Sequence, residues 1–499
     1  MGDIRRQTIL SSIVIYIGFV IGLINTYFYV KNGTFTTVQY GLTRLFNDIG
    51  ITFSSFATLG VTSYIYKFHP FYKQNLSKKE NDQAAWCAIV ITIGFILVVI
   101  GSILFKPLFI QKFSERSPLL ITYYYWILPF SCGILFFTIF EALAWFEGKS
   151  IFTNFLKETG IRVIQTVIIL AFVFGWISFD TFIKGFSFTF PVIAIVLISY
   201  LLYTKRLQFN FTISRVTRKF YKKIIWLMML IYGSVIVTTL AQYIDSIIIA
   251  SVSKKGLADV GIYTLAGFIA TTIQVPQRSI ISAVVPVLSN SWKTKNFNEI
   301  SRIYTRTSIN LLLLALFIFF IIWLNFDDMF TVLNINRNYE EGKMVILILG
   351  ISKIIDAGTG VNSQIIGTSN FWRFEVLTGV LLLAISIPLN YILVKAYGIN
   401  GSALSNLIAF FIYNFVRLFF IWKKFKMQPF SSKTVIALIS SFIIYVFCYY
   451  LFRNLNNWFG IIVRSCVFSI GFILSVIYFR LTPDAYQLWE IAISRFKRK

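Results

Sequence analysis

The chain has 499 residues, with 46 Lys and Arg against 20 Asp and Glu for a formal charge of +26; 57% of residues are hydrophobic, 18% aromatic and only 13% charged. Soluble chains carry roughly 25% charge, and no polar stretch here is long enough to form a soluble domain. A water-soluble multidomain protein is therefore excluded. Cys87, Cys132, Cys448 and Cys466 stand singly in apolar runs, which rules out a disulfide framework or a CxxC pair. The one histidine, His69, sits beside Pro70 in what reads as a polar loop. That leaves no His/Cys cluster for zinc, no cofactor motif, and little for acid–base chemistry.

Apolar blocks of roughly 20 residues, the length that crosses a bilayer core of about 30 Å, follow one another in chain order. The start, MGDIRRQTILSS, has no small-residue cleavage site, so the first block reads as a retained helix. Spans are predicted near Ile9–Val30, Leu42–Tyr66, Ala84–Phe105, Leu119–Phe146, Phe155–Phe179, Phe182–Thr204 and Ile224–Val252. The series continues with Ala258–Ser289, Ser308–Phe326, Met344–Thr368, Phe374–Val394, Gly401–Trp422, Thr434–Phe452 and Phe459–Phe479. Two joints are indistinct: Phe179–Phe182 around Asp180, and the polar segment Asn325–Lys343, read as the longest outer loop. The prediction is an all-α polytopic membrane protein of about fourteen transmembrane helices.

With an even span count both termini share one side. That side and its loops hold roughly 30 Lys and Arg against 13 on the other, Arg44 and Arg464 among the 13 and Arg417 among the 30, which puts both termini in the cytoplasm. The charge of +26 is thus explained by topology and by an anionic leaflet. Nucleic acid is not an expected partner, because the longest basic loop, Thr204–Lys223, is too short for a folded basic domain.

The chain reads as internally repeated. Ile15-Tyr16-Ile17-Gly18 leads to Gln39-Tyr40-Gly41, as Ile231-Tyr232-Gly233-Ser234 leads to Val260-Gly261-Ile262-Tyr263, and Glu147-Gly148-Lys149-Ser150 is echoed by Ile366-Gly367-Thr368-Ser369. An even number of spans per unit makes the repeat parallel. The expected organisation is an N-terminal six-helix bundle over 1–204, a second over 205–423, and two additional helices with a basic tail over 424–499.

Loops cannot absorb Arg162, Arg278 or Lys353. A Lys or Arg at mid-membrane costs about 2.5–3.5 kcal/mol on insertion scales, so it faces a cavity or a partner. In span 8, Thr264, Gly267, Thr271, Gln274, Arg278 and Ser282 recur at steps of three and four, and in span 10 Lys353, Asp356, Gly360, Ser363 and Gly367 do the same, with Asn362 and Gln364 adjoining. Span 7 adds Thr238, Gln242 and Asp245. The pattern fits a water-filled cavity between the bundles. For Lys353 and Asp356 mutual neutralisation inside a bundle is the alternative to the preferred cavity role, while Arg162 is equally consistent with snorkelling or with pairing to Glu158 one turn earlier. Glu141 and Asp245 read first as structural hydrogen-bonding acids. The cavity expectation assigns Arg278, Lys353, Arg162 and Gln274 to an anionic cargo, since guanidinium and ammonium suit phosphate and amides suit sugar hydroxyls. Asp356 and Asp245 are candidates for a coupling H+ or Na+.

The run Asp245-Ser246-Ile247-Ile248-Ile249, with Val260-Gly261-Ile262-Tyr263-Thr264-Leu265-Ala266, resembles the start of the second half in polysaccharide flippases. Gly367-Thr368-Ser369-Asn370, Pro388-Leu389-Asn390-Tyr391 and Tyr397-Gly398-Ile399-Asn400-Gly401-Ser402-Ala403 carry the same resemblance. It points to the multidrug/oligosaccharidyl-lipid/polysaccharide exporter superfamily and extends over nearly the whole chain. It implies two bundles rocking between inward- and outward-open states in a bacterial cytoplasmic membrane. The implied cargo is an undecaprenyl-pyrophosphate-linked oligosaccharide, such as an O-antigen or other surface-polysaccharide repeat unit, held by its pyrophosphate or acidic sugars. One departure stands out. Lipid II flippases tend to carry several arginines in the first two helices, whereas span 1 has none here and only Arg44 opens span 2.

The alternative on the same fold is a cation-coupled drug or metabolite exporter, which would prefer an acidic cavity. A membrane glycosyltransferase would want an acid in the first outer loop, and Lys31–Tyr40 has none; a polymerase would want a large outer loop. A transporter working as a monomer among membrane lipids is the expectation, not an enzyme.

Overall fold

The structure is a computed structural model that describes residues 2–484, and every regular element among them is a helix. Tertiary contacts divide the chain into two compact units, Met1–Gly261 and Ile262–Lys499. The first holds α1 (Gly2–Val30), α2 (Thr37–Ala57), α3 (Val61–Asn75), α4 (Gln83–Leu104), α5 (Lys106–Phe113), α6 (Pro118–Thr122) and α7 (Ile127–Phe146). It continues through α8 (Ser150–Asn154), α9 (Ile161–Val173), α10 (Phe179–Ser187), α11 (Thr189–Tyr203), the long α12 (Arg215–Val252) and the start of α13 (Leu257–Thr271). The second unit holds the rest of α13, then α14 (Val275–Lys293), α15 (Phe297–Val332), α16 (Lys343–Gly358), α17 (Asn362–Thr368), α18 (Trp372–Phe425), α19 (Ser432–Leu451) and α20 (Asn457–Tyr478).

Among the described residues, nine helices are long and apolar enough to cross a membrane, or ten with the bent pair around α16 and α17. The chain is an all-α, multi-pass membrane protein. Large apolar side chains cover the outer faces, among them Leu97, Leu104, Ile195 and Ile443, all more than half exposed. Such surfaces suit hydrocarbon, where helices satisfy their own backbone groups. Each unit also has an interior: Val61, Phe68, Leu135, Phe140 and Leu197 pack in the first, and Leu312, Leu316, Phe319, Phe468 and Phe472 in the second.

Three of the predicted spans are shaped by definite breaks. Span 2 runs over α2 and the first turns of α3, broken at Gly60, whose φ of 76° is left-handed and whose missing Cβ leaves room for the Met228 carbonyl. Spans 11 and 12 are the two arms of α18, which folds back at Gly398 (φ 58°, ψ −137°). Asn390 donates to Ser402, Ser405 to the Ser386 carbonyl, Arg417 to Thr378, and Phe374 stacks on Phe420. These pairings converge on one turn, as an antiparallel helical hairpin requires.

Several readings of loops are corrected. His69 lies inside α3 and is buried, because Val61, Tyr64, Ile65, Phe68 and Tyr72 form a helical apolar face that outweighs Pro70. The segment Asn325–Lys343, expected as an outer loop, is mostly helical, since α15 runs on to Val332 and a 3-10 turn covers Arg337–Gly342. Arg464 is not a loop residue but is buried in α20, bonded to Asp328, the Asn325 side chain and the Leu455 carbonyl. Arg417 is buried in α18 against Glu375. Arg44 lies in the second turn of α2, over the Tyr40 ring. The basic tail with Arg495, Lys497, Arg498 and Lys499 lies outside the described residues, as does the Ser282 side chain.

Candidate functional site

Two broken helices of the second unit create its polar pocket. Between α13 and α14 the chain passes through a 3-10 turn, Thr272–Gln274, just before Pro276. Between α16 and α17 it bends by 47° at Thr359–Val361. There Gly360 takes a left-handed φ of 65° and a Cβ would crowd Ser308, whose hydroxyl donates to the Gly358 carbonyl. Interrupted helices at membrane depth occur where backbone lines protein or a cavity.

The resulting cavity is about 370 Å3 in size and is lined from α14 by Arg278 and Gln277, from the turn by Gln274, and from α16 by Lys353 and Asp356. The second arm of α18 closes it with Phe410, Tyr413 and Arg417. Thr271, Gly360 and Ser363, from the predicted stripes, also line it, with the adjoining Asn362 and Gln364. Arg278 is exposed to the cavity, and among the described residues it has no hydrogen-bond or ion-pair partner. Lys353 is half-buried, its ammonium 5.2 Å from the centre of the Phe410 ring. Cation–π contact of this kind holds a cation against a ring face.

Asp356 sits in a shell of amides. Gln274 donates at 2.7 Å, Gln277 at 3.4 Å and Asn414 at 3.1 Å. Asn414 is fully buried, and its carbonyl oxygen accepts from Thr359 and Asn362. Neutral donors stabilise a carboxylate yet leave its negative charge available to a cation. Arg417 is arranged differently. It pairs with Glu375, donates to Thr378 at 3.2 Å, and lies 3.6 Å over the Tyr413 ring, so its charge is already met.

Of the six residues singled out from sequence, Arg278, Lys353, Gln274 and Asp356 come together in this pocket. Arg162 and Asp245 belong to the other unit. Arg162 pairs with Glu158 at 3.2 Å and lies along Gly18 and Gly22 of α1, where a Cβ would crowd it. Asn25 and Thr166 both donate to its carbonyl. Asp245 is half-buried on α12 and has a partner. Glu141 is buried and ion-paired with Lys157 at 3.0 Å. The π-helical turn Phe155–Gly160 carries that lysine.

Sequence reading missed the α18 wall and one acid of the first unit. Phe410, Tyr413, Asn414 and Arg417 share the three- and four-residue spacing of one helix face, a signal hidden once Arg417 was counted into a loop. Asp48, one turn after Arg44 on α2, bonds to Ser246 and Asn47. Its spacing from Arg44 could have marked both as embedded charges.

The described residues thus form an all-helical, multi-pass membrane protein with a polar pocket at two broken helices. It belongs to the polysaccharide biosynthesis protein family, which it matches over residues 4–292, and residues 231–392 also match the MatE family. The fold is that of the MOP superfamily. Against the lipid II flippase MurJ in an inward closed conformation the TM-score is 0.75 at 15% identity, covering 94% of this chain and 98% of that one. An inward-facing multidrug resistance MATE family transporter gives 0.65 at 14% identity, covering 84% and 98%. A MOP superfamily transporter from Pyrococcus furiosus, described as having a binding pocket of reverse polarity, gives 0.52 at 15% identity, covering 84% and 95%. No curated protein matches by sequence.

Proposed function

We propose that this protein flips an undecaprenyl-pyrophosphate-linked oligosaccharide, a repeat unit of a surface polysaccharide such as O-antigen, across a bacterial cytoplasmic membrane by alternating access. The observation that carries the reading is the unit-2 pocket, where Arg278, without a partner among the described residues, and the ring-held Lys353 stand among amide and hydroxyl side chains. Guanidinium and ammonium are suited to pyrophosphate oxygens, and Gln277, Asn362, Ser363 and Gln364 to sugar hydroxyls. The family match to polysaccharide biosynthesis proteins supports the same cargo class. The moving bodies in this proposal are the repeats 1–204 and 205–423, with 424–499 appended, both termini cytoplasmic, and the protein acting as a monomer. Asp356 is the proposed coupling residue for H+ or Na+, since its amide shell leaves the carboxylate charge unneutralised; Asp245 is the second candidate.

A cation-coupled exporter of drugs or metabolites is the other reading, and the same Asp356 shell together with the MatE match favours it. The deciding experiment measures the leaflet location of lipid-linked oligosaccharide in cells depleted of the protein. Accumulation facing the cytoplasm with loss of surface glycan is the expected result. An unchanged lipid-linked pool and unchanged surface glycan would give first place to the exporter.

A further inference from the structure

The first unit has a second polar cavity, of about 360 Å3, at the end where the loops after α3, α7 and α11 meet. The charge count places those loops in the cytoplasm. Four cations, Lys73, Lys78, Lys205 and Arg206, line it together with a single carboxylate, Glu147. Lys73 reaches Glu147 at 3.3 Å and Arg206 at 3.7 Å. The first turn of α4 forms one wall through Gln83 and Ala84, so the positive end of that 22-residue helix adds to the field. Asp82, at the cap of the same helix, does not line the cavity; its Oδ2 accepts from Trp86, Ser214 and Thr217.

Two deeply buried side chains on the wall are incompletely satisfied. His69, 5% exposed, stacks on Phe146 and bonds through Nδ1 to the Gln83 carbonyl oxygen at 2.8 Å. With the Gln83 side-chain oxygen facing Nδ1, the ring hydrogen belongs on Nδ1 and Nε2 of the neutral imidazole is an acceptor; the opposite amide orientation would reverse the two roles. His69 Nε2 faces Glu147 Oε1, another acceptor, at 4.0 Å. Gln83, 1% exposed, has the opposite problem, because its Nε2 has hydrogens and no acceptor. Among the described residues neither Nε2 has a hydrogen-bond partner. Buried polar groups are normally satisfied. What would complete this pocket has a negative charge for the cations, an acceptor for Gln83, and a hydroxyl donor for His69 and Glu147.

We propose that this pocket binds a phosphate ester carrying free hydroxyl groups. The chemistry is shared by a soluble sugar phosphate and by the hydroxylated headgroup of a membrane phospholipid. The inference does not depend on the transported cargo being a glycan lipid.

The test uses the full-length protein in phosphatidylcholine nanodiscs, titrated calorimetrically with glucose 1-phosphate, glucose and inorganic phosphate. Glucose 1-phosphate is expected to bind more tightly than either fragment. The double variant Lys78→Gln/Lys205→Asn should bind it about tenfold or more weakly, as loss of charge-assisted contacts predicts. Both lysines are exposed, and Asn tolerates the left-handed φ of 51° at position 205, so folding is preserved. His69→Asn should remove the preference for glucose 1-phosphate over inorganic phosphate. Repeating the titration in nanodiscs containing phosphatidylglycerol separates the sources: competition assigns the site to a lipid headgroup, and undiminished binding to a soluble ester. Equal binding of inorganic phosphate and glucose 1-phosphate by the wild-type protein, or equal affinity in the double variant, would overturn the proposal. Neither result bears on lipid-linked oligosaccharide flipping.

Discussion

Arg464 and Arg278 both belong to the second unit and both stand in apolar stretches, yet their surroundings give them opposite characters. Arg464 is 6% exposed, and every side of its guanidinium is met: Asp328, the Asn325 amide oxygen and the Leu455 carbonyl. Arg278 is exposed to a polar pocket and has no partner among the described residues. An embedded charge that is saturated joins α15 to α20. One that is left unsatisfied, beside water-accessible amides, is available to something that enters. The contrast shows that an arginine within a span is not in itself a sign of function; its partner list is.

The largest effect expected from breaking this contrast is on folding. Arg464→Ala leaves the half-buried Asp328 without its counter-charge and should destabilise by up to about 3 kcal/mol, read as a lower unfolding temperature in detergent. Replacing both partners by apolar residues should recover most of that loss, because an apolar pair carries no desolvation cost.

Arg278→Ala should do the reverse, changing stability by no more than about 0.5 kcal/mol while abolishing transport, scored as surface glycan in a complementation assay. Lys353→Ala is expected to behave alike. Full activity in both variants would remove the anionic-pocket proposal. Asp356→Asn sharpens the comparison on the acid side: transport should lose its dependence on the H+ or Na+ gradient in membrane vesicles while the fold is retained.

A smaller effect is expected at His69, where burial holds the imidazole below its ordinary range, outweighing the Gln83 bond and the Glu147 charge that act the other way. The folded state prefers the neutral ring, so this stabilisation is complete above the unfolded value of about 6.5 and is lost as pH falls below it. Thermal unfolding followed from about pH 8 down to about pH 5 should show that loss, and His69→Asn should flatten the slope. The smallest effect belongs to Arg162. Its bond to Glu158 joins side chains that are each nearly a third exposed, and such pairs contribute at most about 1 kcal/mol. Arg162→Gln should therefore melt almost as the wild type does.

Much of this was legible in residues alone. The spans followed from apolar run length, and the stripe Thr271, Gln274, Arg278 with the stripe Lys353, Asp356, Gly360 anticipated two walls of the pocket, because helical periodicity puts those residues on one face. The third wall was not legible. Tyr413 and Arg417 reach the pocket only because α18 folds back at Gly398, and a local pattern does not say which helix faces which. Nor did it reveal that His69, beside a proline, is buried in a helix against Phe146.

The sequence by itself determined a membrane-embedded helical protein and a first list of embedded charges, Arg162, Arg278 and Lys353, which lacked Arg417 and Arg464, since these depend on composition, run length and period, which are local properties. Only the tertiary structure decided which of those charges are satisfied. Arg464 met Asp328 from more than a hundred residues away, Arg417 met Glu375 across a hairpin, and Arg278 met no such partner among the described residues. Pairing of a buried charge is set by long-range packing, where the cost of desolvation must be offset by a group that distant chain folding brings within a few ångströms.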